Sequence, residues 1–305
     1  VKPALGLKMP APVLLAGLLM AVSASISALD AVIVRFVAPE MHVFQITFWR
    51  NFFSLLALLP FLVRSGGLGF SSGYWGTHII RAAIKLGAMI AYFFAILQLP
   101  LAVVMALAFT APMFASAGGI LLLGERATVT RVLSILAGLA GVVIVLRPGV
   151  LPFEAGALLA LASAAGLGIV ALLMKVSSGR ESASRIVWLN LVLVVPMSLV
   201  LAVPVWSTPS MPILGLLVVQ GVLGAVAQLA VARAMGMADA AAIVPVDFVR
   251  LPIVIFLGAV LFAEDTDWPV YVGSAVILGG ILIQLRAERH RAQTVPVTPS
   301  QENMP

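Results

Sequence analysis

The chain has 305 residues, of which 62% are hydrophobic and 10% charged, with a formal net charge of +6 and no cysteine. A soluble domain carries about 25% charged residues and has too little interior for this many apolar side chains. The composition therefore excludes a water-soluble fold, and the absence of cysteine excludes disulfides and thiolate metal sites. The basic residues stand singly or in pairs between apolar runs. That is the pattern of loops flanking membrane helices rather than of a nucleic-acid patch.

A membrane-crossing helix needs about 20 mostly apolar residues. Glycine, proline and charge punctuation predicts ten spans, at 12–35, 42–63, 78–98, 101–123, 129–147, 153–175, 183–205, 211–235, 239–262 and 269–286. Lys2 and Lys8 precede the first apolar run as in a signal peptide, but the run is too long for one and reads as an uncleaved first helix. The polar tail, 287–305, is expected to be disordered. With the N-terminus inside, Lys2, Lys8, Arg64, Arg81, Arg126, Arg131, Lys175, Arg180, Arg185, Arg233, Arg286, Arg289 and Arg291 fall at inner ends or loops. Only Arg35 and Arg147 fall outside, among Glu40, Glu154, Glu264, Asp265 and Asp267. The positive-inside rule then gives a multi-pass protein of a bacterial-type inner membrane with both termini in the cytoplasm.

Two stretches echo each other. "LLLGERATVTRVLSILAGLAGVVIVLR" ends at Arg147 and "VLFAEDTDWPVYVGSAVILGGILIQLR" ends at Arg286. Glu125 aligns with Glu264 and Arg147 with Arg286, an offset of 139 residues in both cases (264 − 125, 286 − 147). Five spans separate the copies, and an odd number turns the second copy upside down. The expected fold is all-α and integral to the membrane: ten transmembrane helices as two inverted five-helix repeats, 1–149 and 150–286, around a central cavity. Inverted repeats of this kind are typical of secondary transporters. Ala137 and Gly141, or Ala275 and Gly279, are spaced to let helices approach closely.

A charge at a helix centre costs about 2.5–3.5 kcal/mol on insertion scales, so ionisable residues there face a partner or a wet cavity. The spans hold five: Asp30, Arg50, Lys85, Asp247 and Arg250. Asp247 and Arg250 share a helix face at i and i+3, between Pro245 and Pro252. Those two prolines, and Pro112 in the corresponding span of the first half, are candidate gating points, since each removes a backbone donor. Structural alternatives stay open: an Asp247–Arg250 pair that only fixes packing, an Asp30–Arg35 pair at the outer interface, and Lys85 reaching the inner interface. If all five face the cavity, three cations outweigh two anions, and an anionic group such as a carboxylate, held by arginine, is favoured. Tyr92, Phe109, Thr110, Trp188, Asn190, Gln220 and Gln228 are candidates to hold the rest of a substrate, and Asp30 or Asp247 to carry a proton.

Four stretches stand out: "LDAVIVRFVAPEMHVFQITFWRNFF", with Asp30, Arg35, Gln45 and Arg50; "RAAIKLGAMIAYFFAILQLPLAVVMALAFTAPMFASAGGILLLGER"; "GLAGVVIVLRPG"; and "MADAAAIVPVDFVRLP" with "LFAED". Together, the last more weakly, they resemble the drug/metabolite transporter superfamily, in its ten-helix EamA branch, with those four residues of the first stretch at family-like positions. Lys85 departs from that pattern, where an uncharged residue is more usual. The resemblance implies a basket of helices and export of a small amphiphilic or anionic metabolite, such as an amino acid, organic acid, nucleoside or vitamin. Expected partners are that solute, the bilayer and a proton, for a monomer or weak dimer. His42, His78 and His290 lie far apart, and no phosphate loop or nucleophile elbow is present. No metal, cofactor or enzymatic activity is expected. The alternatives from other classes are a lipid-modifying membrane enzyme and a non-transporting scaffold.

Overall fold

Hydrocarbon offers no partner to backbone N–H and C=O groups, so apolar runs of this length must satisfy them internally as helices. The computed structural model describes residues 11–64, 73–147, 155–177, 183–238 and 243–294, and no strand occurs among them. The helices are α1 (Ala11–Val37), α2 (Val43–Arg64), α3 (Trp75–Gln98), α4 (Leu101–Ala108), α5 (Ala111–Leu123), α6 (Val129–Leu146), α7 (Ala155–Ser177), α8 (Ala183–Ala202), α9 (Met211–Met237), α10 (Arg250–Phe262) and α11 (Trp268–Thr294). Short 3₁₀ segments cover Val203–Val205 and Val244–Val249. Among the described residues nine segments are long and apolar enough to cross a membrane, with α4 and α5 counted together. α2 also carries the polar side chains of Gln45, Thr47, Arg50, Asn51 and Ser54.

Three elements differ from the sequence expectation. The span at 101–123 is broken at Phe109–Thr110, where Pro112 has no N–H to return to the carbonyl of Ala108. Thr110 Oγ1 turns back instead and donates to Leu107 O at 2.6 Å. In the ninth span, 239–242 lie outside the described residues, and Val244–Val249 is a 3₁₀ segment leading directly into α10. Pro245 therefore stands in the first turn of the 3₁₀ segment, and Pro252 follows the junction at which that segment passes into α10. Third, α11 continues past Arg286 to Thr294. Ala287, Glu288, Arg289 and Gln293 are good helix formers, so the expected disorder does not begin at 287; residues 295–305 lie outside the described residues.

The 139-residue offset recurs in the element boundaries. α5 and α10 each have 13 residues and start 139 apart (250 − 111). α6 and α11 start 139 apart (268 − 129), and α3 and α9 end 139 apart (237 − 98). α5 and α10 also stop alike. Gly124 (φ 65°) and Ala263 (φ 52°) are left-handed, and the following Glu125 and Glu264 donate their N–H groups to Gly119 O and Gly258 O, both at 3.1 Å. Packing is reciprocal under the same offset: α1 lies on α9 and α10, as α7 lies on α3 and α5.

α6 and α11 pack along a seam of small residues. A Cβ on Gly141 would stand 2.8 Å from Gly273 O, and one on Gly280 would stand 3.1 Å from Ser134 O. Of the expected pairs, Ala137 and Gly141 lie in this seam, but Gly279 has open space around it and Ala275 is exposed. Gly273 and Gly280, two turns apart, are the close-approach positions on α11.

Candidate functional site: a charged cavity at the helix break

The break between α4 and α5 and the 3₁₀ segment before α10 bring two irregular stretches of backbone together. Phe109 from the first and Phe248 from the second stack with ring centroids 3.8 Å apart and planes 11° apart. The Arg250 guanidinium covers the Phe109 ring at 4.2 Å. Beside this platform lies a cavity of about 360 Å³, lined in part by Asp30, Arg50, Lys85, Tyr92, Asp247 and Arg250. Non-helical backbone at membrane depth is tolerated where it lines such a cavity.

All five intramembrane charges predicted from the sequence thus meet on one wall system. Arg50 Nε donates to Asp30 Oδ1 at 2.9 Å. Arg250 Nη1 and Asp247 Oδ2 are 3.5 Å apart within one helical turn. Lys85 Nζ donates to Asn190 Oδ1 at 2.9 Å. Asp30 does not pair with Arg35. That arginine reaches Glu264 instead, and its second nitrogen donates to Leu99 O at 3.2 Å. The other predicted residues divide. Tyr92, Phe109 and Pro112 line the cavity, and Asn190 adjoins it through Lys85. Thr110, Trp188, Gln220, Gln228, Pro245 and Pro252 do not line it. Thr110 is spent on its own backbone, Trp188 is buried with Leu58, Leu189 and Leu191, and Pro252 is exposed on the far face of α10.

Ser27, Met89, Phe93, Ser163 and Phe248 also line the cavity and escaped the sequence reading. Ser27 and Met89 lie three and four residues from Asp30 and Lys85, on the same helix faces. Phe248 was marked by the offset itself, since it follows Phe109 by 139 residues. Arg81, expected at an inner end, is fully buried with its guanidinium 3.1 Å from His78 Nδ1. Among the described residues no group of three His, Cys, Asp or Glu side chains could hold a metal ion.

A second cavity, of about 370 Å³, shares Ala111, Pro112 and Leu167 with the first and runs on to Ser116, Glu125, Arg131 and Gln284. Arg131 Nη1 donates to Glu125 Oε2 at 2.5 Å there. At the opposite end of the α4–α5 segment the packing is tied instead. Glu264 Oε2 accepts from Leu101 N at 2.9 Å while its other oxygen takes Arg35, and Arg147 pairs with Asp267.

A helical membrane protein with a charged, ring-lined cavity at mid-span has the form of a solute carrier. Residues 14–147 match the EamA-like transporter family. A riboflavin transporter of Rhizobium johnstonii is 33% identical over 246 residues, covering 80% of this chain and 81% of that protein. The chain belongs to the EamA-like transporter family, within the drug/metabolite transporter superfamily. A riboflavin transporter of Brucella anthropi is 28% identical, covering 82% of this chain and 90% of that one. An S-adenosylmethionine uptake transporter of Rickettsia prowazekii is 24% identical, covering 86% and 90%. A crystal structure superposes with a TM-score of 0.60 at 18% identity, over 90% of this chain and 97% of the other, which shows the fold alone.

Proposed function

We propose that the protein is a secondary-active transporter that carries a small amphiphilic metabolite by alternating access between two inverted five-helix halves, 1–149 and 150–286. The observation that carries this reading is the cavity: five ionisable groups gather around about 360 Å³ at the depth where lipid would reject them. Ten spans and an inverted repeat are supported by the 139-residue boundary offset and by the contact of Phe109 with its own counterpart, Phe248. With both termini in the cytoplasm, Arg35–Glu264 and Arg147–Asp267 join the halves at the outer end, and the second cavity leads inward past Pro112. This arrangement corresponds to a state closed to the outside.

The substrate falls in the vitamin or nucleoside part of the expected range. Relatives named for riboflavin and S-adenosylmethionine both handle fused heteroaromatic rings, and a ring of that kind suits the Phe109, Phe248 and Tyr92 surface. The word "uptake" in the name of the second relative favours inward flux over export. Asp30 and Asp247 are the groups able to couple flux to a proton. Flux of radiolabelled riboflavin, S-adenosylmethionine and related solutes into proteoliposomes, with wild type and Arg50→Ala, tests the reading. Transport by the wild type that Arg50→Ala abolishes supports it. No solute flux in either protein returns the enzyme or scaffold alternatives.

A further inference from the structure

The five charges of the cavity are not equally matched. Arg50 has Asp30 and Arg250 has Asp247. Lys85 has only the neutral amide oxygen of Asn190, and among the described residues no carboxylate pairs with it. The lining therefore carries one net positive charge (three cations less two anions), and that charge is localised on Lys85. Asn190 has the reach of an aspartate but none of its charge, so it fixes the ammonium without neutralising it. An ammonium has three donors, and this one uses a single donor on Asn190. Lys85, Met89 and Tyr92 are spaced i, i+4 and i+7 along α3 and all line the cavity. A ring resting on Tyr92 and Met89 thus brings its substituents down onto Lys85.

We propose that Lys85, held by Asn190, reads the charge of the substrate and selects a ligand bearing one anionic group, either a carboxylate or a phosphate, attached to the ring system. This rests on the transporter reading above. The arginines differ from it: Arg50 is bonded to Asp30, and Arg250 faces Asp247 at 3.5 Å and lies over Phe109, so the lysine is the cation of the lining without a counter-charge. A carboxylate then brings the cavity to neutrality, which favours the loaded form in a low-dielectric slab, whereas a phosphate monoester, at about −1.5 to −2, overshoots it.

The test uses the full-length protein in nanodiscs and matched neutral and anionic ligands: riboflavin and its phosphate ester, adenosine and its monophosphate, nicotinamide and nicotinate. Thermal shift and equilibrium binding give the anionic-to-neutral affinity ratio within each pair. The wild type is expected to favour the anionic member by about tenfold in at least one pair, the worth of one charge-assisted hydrogen bond. The phosphate and carboxylate pairs show which group is read. Lys85→Gln removes the charge and Asn190→Asp neutralises it in place, and both are expected to bring the ratio to one or below. Their melting temperatures without ligand check that they fold. A wild type that prefers neutral members, or a ratio unchanged in both variants, overturns the inference and leaves the transporter reading standing. No binding of any pair, together with no flux in liposomes, overturns both.

Discussion

Phe109 and Phe248 lie ring on ring, 3.8 Å apart, although 139 residues separate them in the chain. In the twofold arrangement proposed above, a residue that touches its own counterpart sits on the axis. The pair is also the floor on which Arg250 rests. A pair this close is nearly face to face, so its gain beyond burial lies at or below the low end of about 0.5–1.5 kcal/mol, and a cation over a ring adds roughly 0.5–2 kcal/mol. Phe109→Ala removes both contacts and is expected to lower transport about tenfold. Phe248→Ala removes only the stack and should cost less. Initial rates of solute flux check the order, and equal activity of both variants with the wild type would refute a role for the platform.

Glu264 holds three partners from the other half of the chain at once: Arg35, the N–H of Leu101 and, through Arg35, the carbonyl of Leu99. Glu264→Gln keeps one acceptor but discharges the pair, weakening the outer closure by on the order of 1–2 kcal/mol. That shifts the balance towards an outward-open state by about tenfold. The native chain has no cysteine, so a single Ser27→Cys reporter in the cavity gives no background. Its modification by an impermeant thiol reagent added outside is expected to quicken about tenfold in the Glu264→Gln background. An unchanged labelling rate would rule out the latch.

The cavity was legible in the sequence because cost and placement coincide: a charge inside an apolar run has few places to go, and all five did face one space. Which charges pair was not legible. Arg50 finds Asp30 on a different helix, whereas nearness in sequence offered Arg35, and the outcome is set by α1 and α2 both packing on α9. Thr110 and Trp188, which do not line this cavity, were not separable from wall residues for a related reason. A polar or aromatic residue in a membrane helix can be satisfied by its own backbone or by the core, and nothing local tells these from a cavity wall. The helix break at Phe109 could have been read from Pro112, but the continuous apolar run around it suggested an unbroken span.

The seam between α6 and α11 gives a prediction with a built-in control. A methyl on Gly141 would stand 2.4 Å from Ile277 Cγ1 and 2.8 Å from the backbone oxygen of Gly273, so one helix must move. Gly141→Ala is expected to destabilise the fold by about 1–3 kcal/mol, the cost of overpacking. Gly279→Ala, on the same helix pair but with nothing within 4 Å, should leave stability level or raise it slightly through helix propensity. Scanning fluorimetry of both variants in detergent reads the difference. Equal melting temperatures would mean that this seam is not tightly packed.

Asp30 and Arg50 allow structure and transport to be separated. Their side chains are 11% and 19% exposed, so each is mostly cut off from water and relies on the other. Asp30→Asn leaves the guanidinium with an uncharged partner and raises the net charge of the lining by one. Removing one member of a buried pair is costly, about 3–5 kcal/mol when burial is complete and less here, whereas replacing both can be nearly neutral. Asp30→Asn and Arg50→Gln are each expected to lower the melting temperature, and the double variant to recover most of the loss. If the pair only held α1 to α2, transport would recover with stability. Because Arg50 and Asp30 form part of the cavity wall, flux in the double variant is expected to stay more than tenfold below wild type. A double variant that regains both stability and flux would demote the pair to a packing element.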